Sequence, residues 1–121
     1  MDNKIKSFTD LITWQEAHEL ARAIYALTAK FPQEELYALT SQMRRAAVST
    51  TSNIAEGFAR KTPKEKIQFY FIALGSNTEL QSQLILAKDV KYIPNETFES
   101  LLNQMVKVNK LLNGLIRSIR K

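Results

Sequence analysis

The amino-acid sequence predicts an all-α protein, folded as an antiparallel up-down-up-down four-helix bundle in a single domain spanning residues 1–121. Three observations lead to this prediction. Four segments carry apolar residues at alternating spacings of three and four, the period of an amphipathic helix. The three glycines and three prolines are far apart, so they leave those segments long. The joints between the segments are short, and short joints favour antiparallel neighbours.

The first two helices are separated by the segment around Pro32. Helix 1 is expected from about Asp10 to Lys30, because proline disfavours helical geometry in the residue before it. Its apolar stripe consists of Leu11, Trp14, Ala17, Ala21, Ile24, Leu27 and Thr28. Helix 2 is expected to begin within residues 33–36 and to end near Ala59. Its stripe consists of Leu36, Leu39, Met43, Ala46, Thr50, Ile54 and Gly57.

The last two helices have clearer starting signals. In Thr62-Pro63-Lys64-Glu65, the threonine can cap the helix, proline suits its first position, and the glutamate can return the cap hydrogen bond. Helix 3 should run to about Lys88, with a core seam of Tyr70, Ala73, Asn77, Leu80, Leu84 and Ala87. Asn95 is the expected N-cap of helix 4. That helix carries Phe98, Leu101, Met105, Val108, Leu112, Leu115 and Ile119.

Composition excludes several classes of protein. The chain has no cysteine, so disulfides and thiolate sites are excluded, and its N-terminus lacks the apolar core of a signal peptide. A cytoplasmic location without membrane insertion is therefore expected. The single histidine, His18, is expected at the surface, and no Glu-x-x-His pair, phosphate loop or nucleophile elbow occurs. We expect no enzymatic activity, no metal and no cofactor.

Basic residues concentrate at one end of the predicted bundle, where the N-terminus, the helix 2–3 turn and the C-terminus meet. Nine cations are expected there: Lys4, Lys6, Arg60, Lys61, Lys64, Lys66, Arg117, Arg120 and Lys121. Only Asp2, Asp10 and Glu65 oppose them. One interpretation is a phosphate-binding surface for nucleic acid. The other is that cations belong at helix C-termini, which complement the macrodipole. This second interpretation does not account for Lys64 and Lys66, at a helix N-terminus.

A polar stripe on helix 2 has two interpretations. Arg45, Ser49, Asn53, Glu56 and Arg60 share one helical face. If helices 2 and 3 form a hairpin, Glu79 lies opposite Arg45 and Gly75 lies opposite Ser49, where close approach would explain a glycine in mid-helix. The stripe then forms either a ligand-binding or catalytic cleft, or a buried hydrogen-bonded network of Arg45, Ser49, Asn53, Glu56 and Glu79 that fixes register. We favour the network, because arginine, glutamate, serine and asparagine can satisfy one another.

Several motifs resemble a known bacterial family. They are Arg44-Arg45-Ala46-Ala47-Val48-Ser49, Asn53-Ile54-Ala55-Glu56-Gly57, Arg60, Gly75-Ser76, Glu79, Phe8, Asp10-Leu11, Trp14, Ala17 and Phe31-Pro32. Together they resemble the four-helix bundle proteins encoded in intervening sequences of 23S ribosomal RNA genes. Thr50-Thr51 departs from the family's usual Ile-Pro. The resemblance implies a homopentameric ring. The chain is also similar to the basic accessory proteins of diversity-generating retroelements, which bind nucleic acid and a reverse transcriptase.

Helix 3 has more apolar surface than one core can cover. Phe69, Ile72 and Leu86 point away from its core seam, while Ile67, Phe71, Leu74 and Ile85 cover a third side. Either a thick monomeric core or self-association would bury them. The leading functional hypothesis is an oligomer that binds nucleic acid, RNA before DNA, through the basic end. The alternative is a protein-interaction scaffold that uses the apolar faces of helix 3 and binds no nucleic acid.

Overall fold

A computed structural model describes residues 4–120, and every regular element within them is helical. Four long helices follow one another: α1 (Ile12–Thr28), α2 (Leu39–Ala59), α3 (Pro63–Asp89) and α4 (Asn95–Arg120). Two short 3-10 helices, Phe8–Asp10 and Gln33–Glu35, precede α1 and α2. The all-α prediction is confirmed. Met1 to Asn3 and Lys121 lie outside the described residues.

The four helices pack as a ring of neighbours, with α1 and α3 each lying between α2 and α4. Hydroxyls of Ser49 and Ser76 meet across α2 and α3, and Gly57 lies against the ring of Tyr70 nearer their shared turn. Across α3 and α4, Lys88 Nζ lies 4.5 Å from the ring centroid of Phe98, close to the connecting turn. In both pairs, the end of one helix contacts the start of the next near their shared turn. This is the contact pattern of antiparallel neighbours.

The starts of α1 and α2 differ from the predicted ones. The segment expected to open helix 1 is a 3-10 helix closed by a capping box between Ser7 and Asp10, and Leu11 is extended before α1 begins. After Pro32 the chain forms another 3-10 helix, so α2 starts later than expected, at Leu39. Leu36 therefore lies outside the core stripe, and 41% of its surface is exposed.

The starts of α3 and α4 are close to the predictions. Thr62 Oγ1 accepts a hydrogen bond from the Glu65 N–H at 3.2 Å. The Glu65 carboxylate was expected to accept a hydrogen bond from the Thr62 N–H in return, but residues 4–120 do not form this bond. Asn95 is the first residue of α4 rather than its cap.

The α3–α4 turn is closed by backbone hydrogen bonds. Tyr92 N–H donates to Ala87 O and Lys91 N–H donates to Lys88 O, both at 2.9 Å, while Lys91 adopts a left-handed φ of 68°. This is the Schellman arrangement that ends many helices. The Tyr92 hydroxyl donates to Glu35 Oε2 at 2.6 Å, and this hydrogen bond raises the pKa of Tyr92. The turn is thereby tied to the segment that precedes α2.

The core follows the predicted stripes closely. All six members of the predicted α3 seam are buried, including Asn77, whose Nδ2 donates to Met105 O and Asn109 Oδ1 of α4 at 2.9 and 2.8 Å. In α4 the buried set ends at Ile116, and Leu115 and Ile119 are half-buried. Within residues 4–120, no helix combines the length and hydrophobicity that a bilayer crossing requires.

The outer face of α3, defined by Phe71, Ile72, Ile85 and Leu86, remains uncovered. Each of these side chains is about half exposed, between 46% and 51%. Between the two apolar pairs lie the exposed residues Gly75, Thr78, Glu79 and Ser82. The surplus apolar surface predicted for helix 3 is therefore present at these four residues, whereas Ile67, Phe69 and Leu74, which were also predicted outside the seam, are half-buried.

Candidate nucleic-acid interface

The α2–α3 corner brings together the cations that adjoin the turn. Arg60 is the C-cap of α2; its Nη2 lies 2.7 Å from Glu56 Oε1, and its guanidinium lies 4.7 Å from the ring centroid of Phe69. Lys61 and Lys64 are exposed and form no ion pair within the described part of the chain. Two cations at this corner are therefore available to an external anion, while Arg60 is held by its own helix.

Lys66 has a structural role that its sequence position does not reveal. Its Nζ donates to Phe58 O at 2.7 Å and to Gly57 O at 3.4 Å, the last carbonyls of α2. The ammonium also lies 5.4 Å from the ring centroid of Phe58. Lys66 is at the start of its own helix but neutralises the negative end of the preceding one. The position of Lys66 is therefore not evidence for ligand binding. The prediction that helix dipoles do not account for Lys66 was wrong, because its ammonium lies at the C-terminal end of α2.

The C-terminal end of α4 reaches α3 near the same corner. The Arg120 guanidinium lies 5.4 Å from the ring centroid of Phe71, in the third turn of α3. Arg117, one turn earlier on α4, is exposed. Lys121, which was predicted to join this set, lies outside the described residues.

The N-terminal segment completes the basic end. Lys4 and Lys6 are exposed and precede the 3-10 helix Phe8–Asp10, which packs on α1 and α2. Asp10 Oδ2 accepts from the backbone N–H of Lys6 at 2.9 Å. We define the basic end by its eight described cations, Lys4, Lys6, Arg60, Lys61, Lys64, Lys66, Arg117 and Arg120. Asp10 and Glu65 lie beside them and Glu56 pairs with Arg60, so eight cations face three acids and positive charge dominates this pole.

The predicted polar network is only partly formed, and its central pair is absent. Arg45 and Glu79 are both exposed, and no ion pair joins them among residues 4–120. Glu79 Oε2 instead accepts from Gln83 on its own helix at 3.3 Å. Glu56 pairs with Arg60 at the surface. The predicted Arg45–Glu79 pair is therefore wrong.

What joins α2 to α3 is a smaller set of uncharged groups. The hydroxyls of Ser49 and Ser76 lie 2.8 Å apart. Asn53 Nδ2 donates to Ser49 O at 2.8 Å and to Ser49 Oγ at 3.2 Å. Ser76, and not Gly75, is the partner of Ser49, and a Cβ added to Gly75 would meet no atom within 4 Å. The expected close approach at Gly75 was wrong.

Comparison with known proteins identifies the chain's relatives. Residues 9–114 match the 23S rRNA-intervening sequence protein family. The chain belongs to this family. A solved structure of a Bacteroides thetaiotaomicron protein with unknown function, from the S23 ribosomal protein family, is 26% identical to it. The two superpose with a TM-score of 0.78, and the match covers 87% of this chain and 98% of that one. No curated protein matches this chain.

In this member of the family, the chemistry of the basic end suits contacts with anions. Its exposed groups are ammonium and guanidinium ions, which bind phosphate by charge and hydrogen bonding. No three His, Cys, Asp or Glu side chains in residues 4–120 lie close enough together to hold a metal ion. His18 is exposed, as predicted, and stacks on Trp14 at a centroid distance of 4.5 Å. Trp14 is half-buried against the core.

Proposed function

We propose that this family member is a non-enzymatic, cytoplasmic nucleic-acid-binding protein that contacts phosphates through its basic end. The observation that carries the proposal is the exposed pair Lys61 and Lys64, which form no ion pair within residues 4–120, at the end of α3 that Arg120 of α4 also approaches. A cluster of cations that neutralises phosphates releases the counterions bound to the nucleic acid. This release gives affinity for nucleic acid without reading the bases. The family takes its name from intervening sequences of 23S rRNA, which supports RNA as the first ligand to test.

The test is the salt dependence of RNA and DNA binding. Log affinity falls with log salt by roughly 0.7 to 0.9 per neutralised phosphate, so three lost contacts should reduce the slope by about 2 to 3. The test variant is Lys61→Glu with Lys64→Glu and Arg117→Glu. Lys66 is left intact, because its loss would uncap α2.

The matched control reverses three charges elsewhere: Lys30→Glu, Lys91→Glu and Lys110→Glu. It changes the net charge by the same amount but leaves the basic end intact. Reduced affinity and slope in the test variant alone would support the proposal. Equal losses in both variants would attribute binding to overall charge, and no loss in the test variant would remove the basic end from the proposal.

We further propose that the protein self-associates through the outer face of α3, into the pentamer that the family resemblance implies. The four half-exposed apolar side chains there support this, since exposed apolar patches usually mark contacts. A ring would present several basic ends together, and their weak phosphate contacts would add through avidity.

Particle mass measured by sedimentation tests this second proposal. Ile72→Ser with Leu86→Ser should reduce the mass to that of one chain. Ile12→Ser with Val106→Ser, two exposed apolar residues on other helices, should leave it unchanged. A wild-type mass of one chain would contradict self-association. If α3 binds a different protein and the basic end binds nothing, the scaffold alternative applies, and that binding would respond little to salt.

A further inference from the structure

A continuous groove runs along the junction of α1 and α2, away from the basic end. Three adjoining depressions form it, with cavity volumes of about 250, 490 and 430 Å³. Thr40 and Arg44 line both the first and the second, and Tyr25 and Val48 line both the second and the third. We call this the α1–α2 groove and define it by His18, Arg22, Tyr25, Tyr37, Arg44 and Arg45.

Two tyrosine rings of the groove face solvent. Tyr37 is 92% exposed, more than any other large hydrophobic side chain described, and Tyr25 is 45% exposed. The core gains nothing from an aromatic ring in full contact with water. Such a ring is available to stack on a ligand, which is how single-strand-binding proteins hold successive bases.

Arg44 is held in the groove by the C-terminal end of α1. Its Nε donates to Thr28 Oγ1 at 2.8 Å and its Nη2 donates to Tyr25 O at 3.3 Å. The guanidinium lies 4.6 Å from the ring centroid of Tyr25. Every one of these partners is uncharged. Arg44 forms no ion pair with a carboxylate among residues 4–120. Its side chain is held in place by uncharged groups, so its positive charge is available to an incoming anion.

The charge of the groove has one sign. The residues that line the three depressions include three arginines and a histidine, and none of them is aspartate or glutamate. Arg45 is exposed and unpaired in the described chain, whereas Arg22 pairs with Glu19 at 3.2 Å. The groove thus combines aromatic rings with unneutralised cations, as nucleic-acid-binding grooves do.

We propose that the α1–α2 groove binds a single-stranded segment of nucleic acid, with bases stacked on Tyr37 and on the part of the Tyr25 ring that Arg44 leaves exposed, and with phosphates on Arg44 and Arg45. This inference rests on the proposed nucleic-acid binding and deepens it by assigning strand selectivity. Duplex bases are stacked on one another and cannot offer a face to either tyrosine, whereas unpaired bases can. The basic end contacts phosphate and has no means to distinguish the two forms. Along α2, Arg44 and Arg60 are about 24 Å apart at 1.5 Å per residue, so the two surfaces are separable.

The experiment measures binding of the full chain to three probes. They are a single-stranded RNA of about ten nucleotides, within the range of roughly 4–16 nucleotides that single-strand-binding folds occupy, an abasic backbone of the same length, and the corresponding duplex. The test variant is Tyr37→Ala with Arg45→Ala, two exposed residues outside the core. Its matched control is Val106→Ala with Lys110→Ala on α4.

We expect the test variant to bind the single strand roughly five- to 150-fold more weakly, the equivalent of one stacked base. Its binding of duplex should not change, and the control should match the wild type. The wild type should bind the abasic backbone more weakly than the base-bearing strand, because the abasic backbone makes phosphate contacts alone. Equal binding of the abasic and base-bearing strands by the wild type would overturn the proposal in favour of a plain anion groove.

The outcomes also separate the two proposals. If the basic-end variant loses binding of both single strand and duplex, and Tyr37→Ala with Arg45→Ala loses binding of neither, the groove inference fails and the proposed function survives. If only the groove variant loses the single strand, the basic end is the part that fails. A wild-type protein that binds none of the three probes overturns both.

Discussion

On the inner face of α3, side chains fill the space as far as the neighbouring helices, whereas on its outer face apolar side chains have solvent above them. Two glycines show the difference. A Cβ added to Gly57 of α2 would lie 2.5 Å from Cε1 of Tyr70, the ring that α3 inserts beside it. A Cβ added to Gly75, on the outer face, would meet nothing. Gly57 is required by packing, whereas Gly75 faces open space.

Gly57→Ala should have the largest effect on stability. Tyr70 is 2% exposed, so its ring has little freedom to move away from a new methyl group. Overpacking of this kind costs up to about 3 kcal/mol, and we expect a value at that end of the range. Urea denaturation would measure it. The penalty should shrink when Tyr70 is also changed to Leu, and an unaltered free energy of unfolding would contradict the close packing.

Tyr70 should also make the inner face sensitive to alkali. Burial raises the pKa of Tyr70 to about 12, above the ordinary tyrosine value of about 10. The folded protein therefore favours the protonated phenol, and this stabilisation is complete below about pH 10 and disappears as pH approaches 12. The expected loss is on the order of 2 kcal/mol.

Denaturation across that pH range should show a larger loss in the wild type than in Tyr70→Phe, which keeps only the contribution of Tyr92, whose pKa is also raised. Tyr37→Phe, which removes an exposed phenol, is the matched control. Parallel curves for wild type and Tyr70→Phe would mean that Tyr70 ionises without cost to the fold.

On the outer face, Gly75→Ala should stabilise the single chain by about 1 kcal/mol. Glycine is less favourable than alanine in a helix interior by that amount, and no atom opposes the added methyl group. The measurement belongs at high dilution, where any assembly has dissociated. A gain at dilution with a loss at high concentration would indicate that a second copy packs closely against Gly75. A loss at every concentration would refute the open space above it.

The smallest effect should come from the hydrogen bond between Ser49 and Ser76. A double-mutant cycle with Ser49→Ala and Ser76→Ala should give a coupling energy of about 0.5–1 kcal/mol, the usual net value of such a bond. The same cycle on Arg45 and Glu79, which are exposed and apart, should give none. Coupling in that second pair alone would restore the predicted register.

The register of α2 against α3 explains why the core was predictable and the network was not. The six-residue seam of α3 follows from apolar spacing, and all of it is buried. Pairing across the hairpin requires the turn geometry as well. Successive residues of a helix point about 100° apart, so an error of one residue in the register exchanges Ser76, which faces Ser49, for Gly75, which faces solvent. The same shift places Arg45 and Glu79 in solvent.

The sequence by itself determined the four helices and the faces they bury, because helical period is a local property of the chain. Its short joints, which favour antiparallel neighbours, also indicated which cations would share one pole. Tertiary structure decided which of those cations are free. Lys66 neutralises carbonyls of α2, and Arg44 binds the end of α1, since both depend on distances between helices that no spacing encodes. The α1–α2 groove likewise exists only after packing, because its tyrosines and arginines come from two helices and the segment between them.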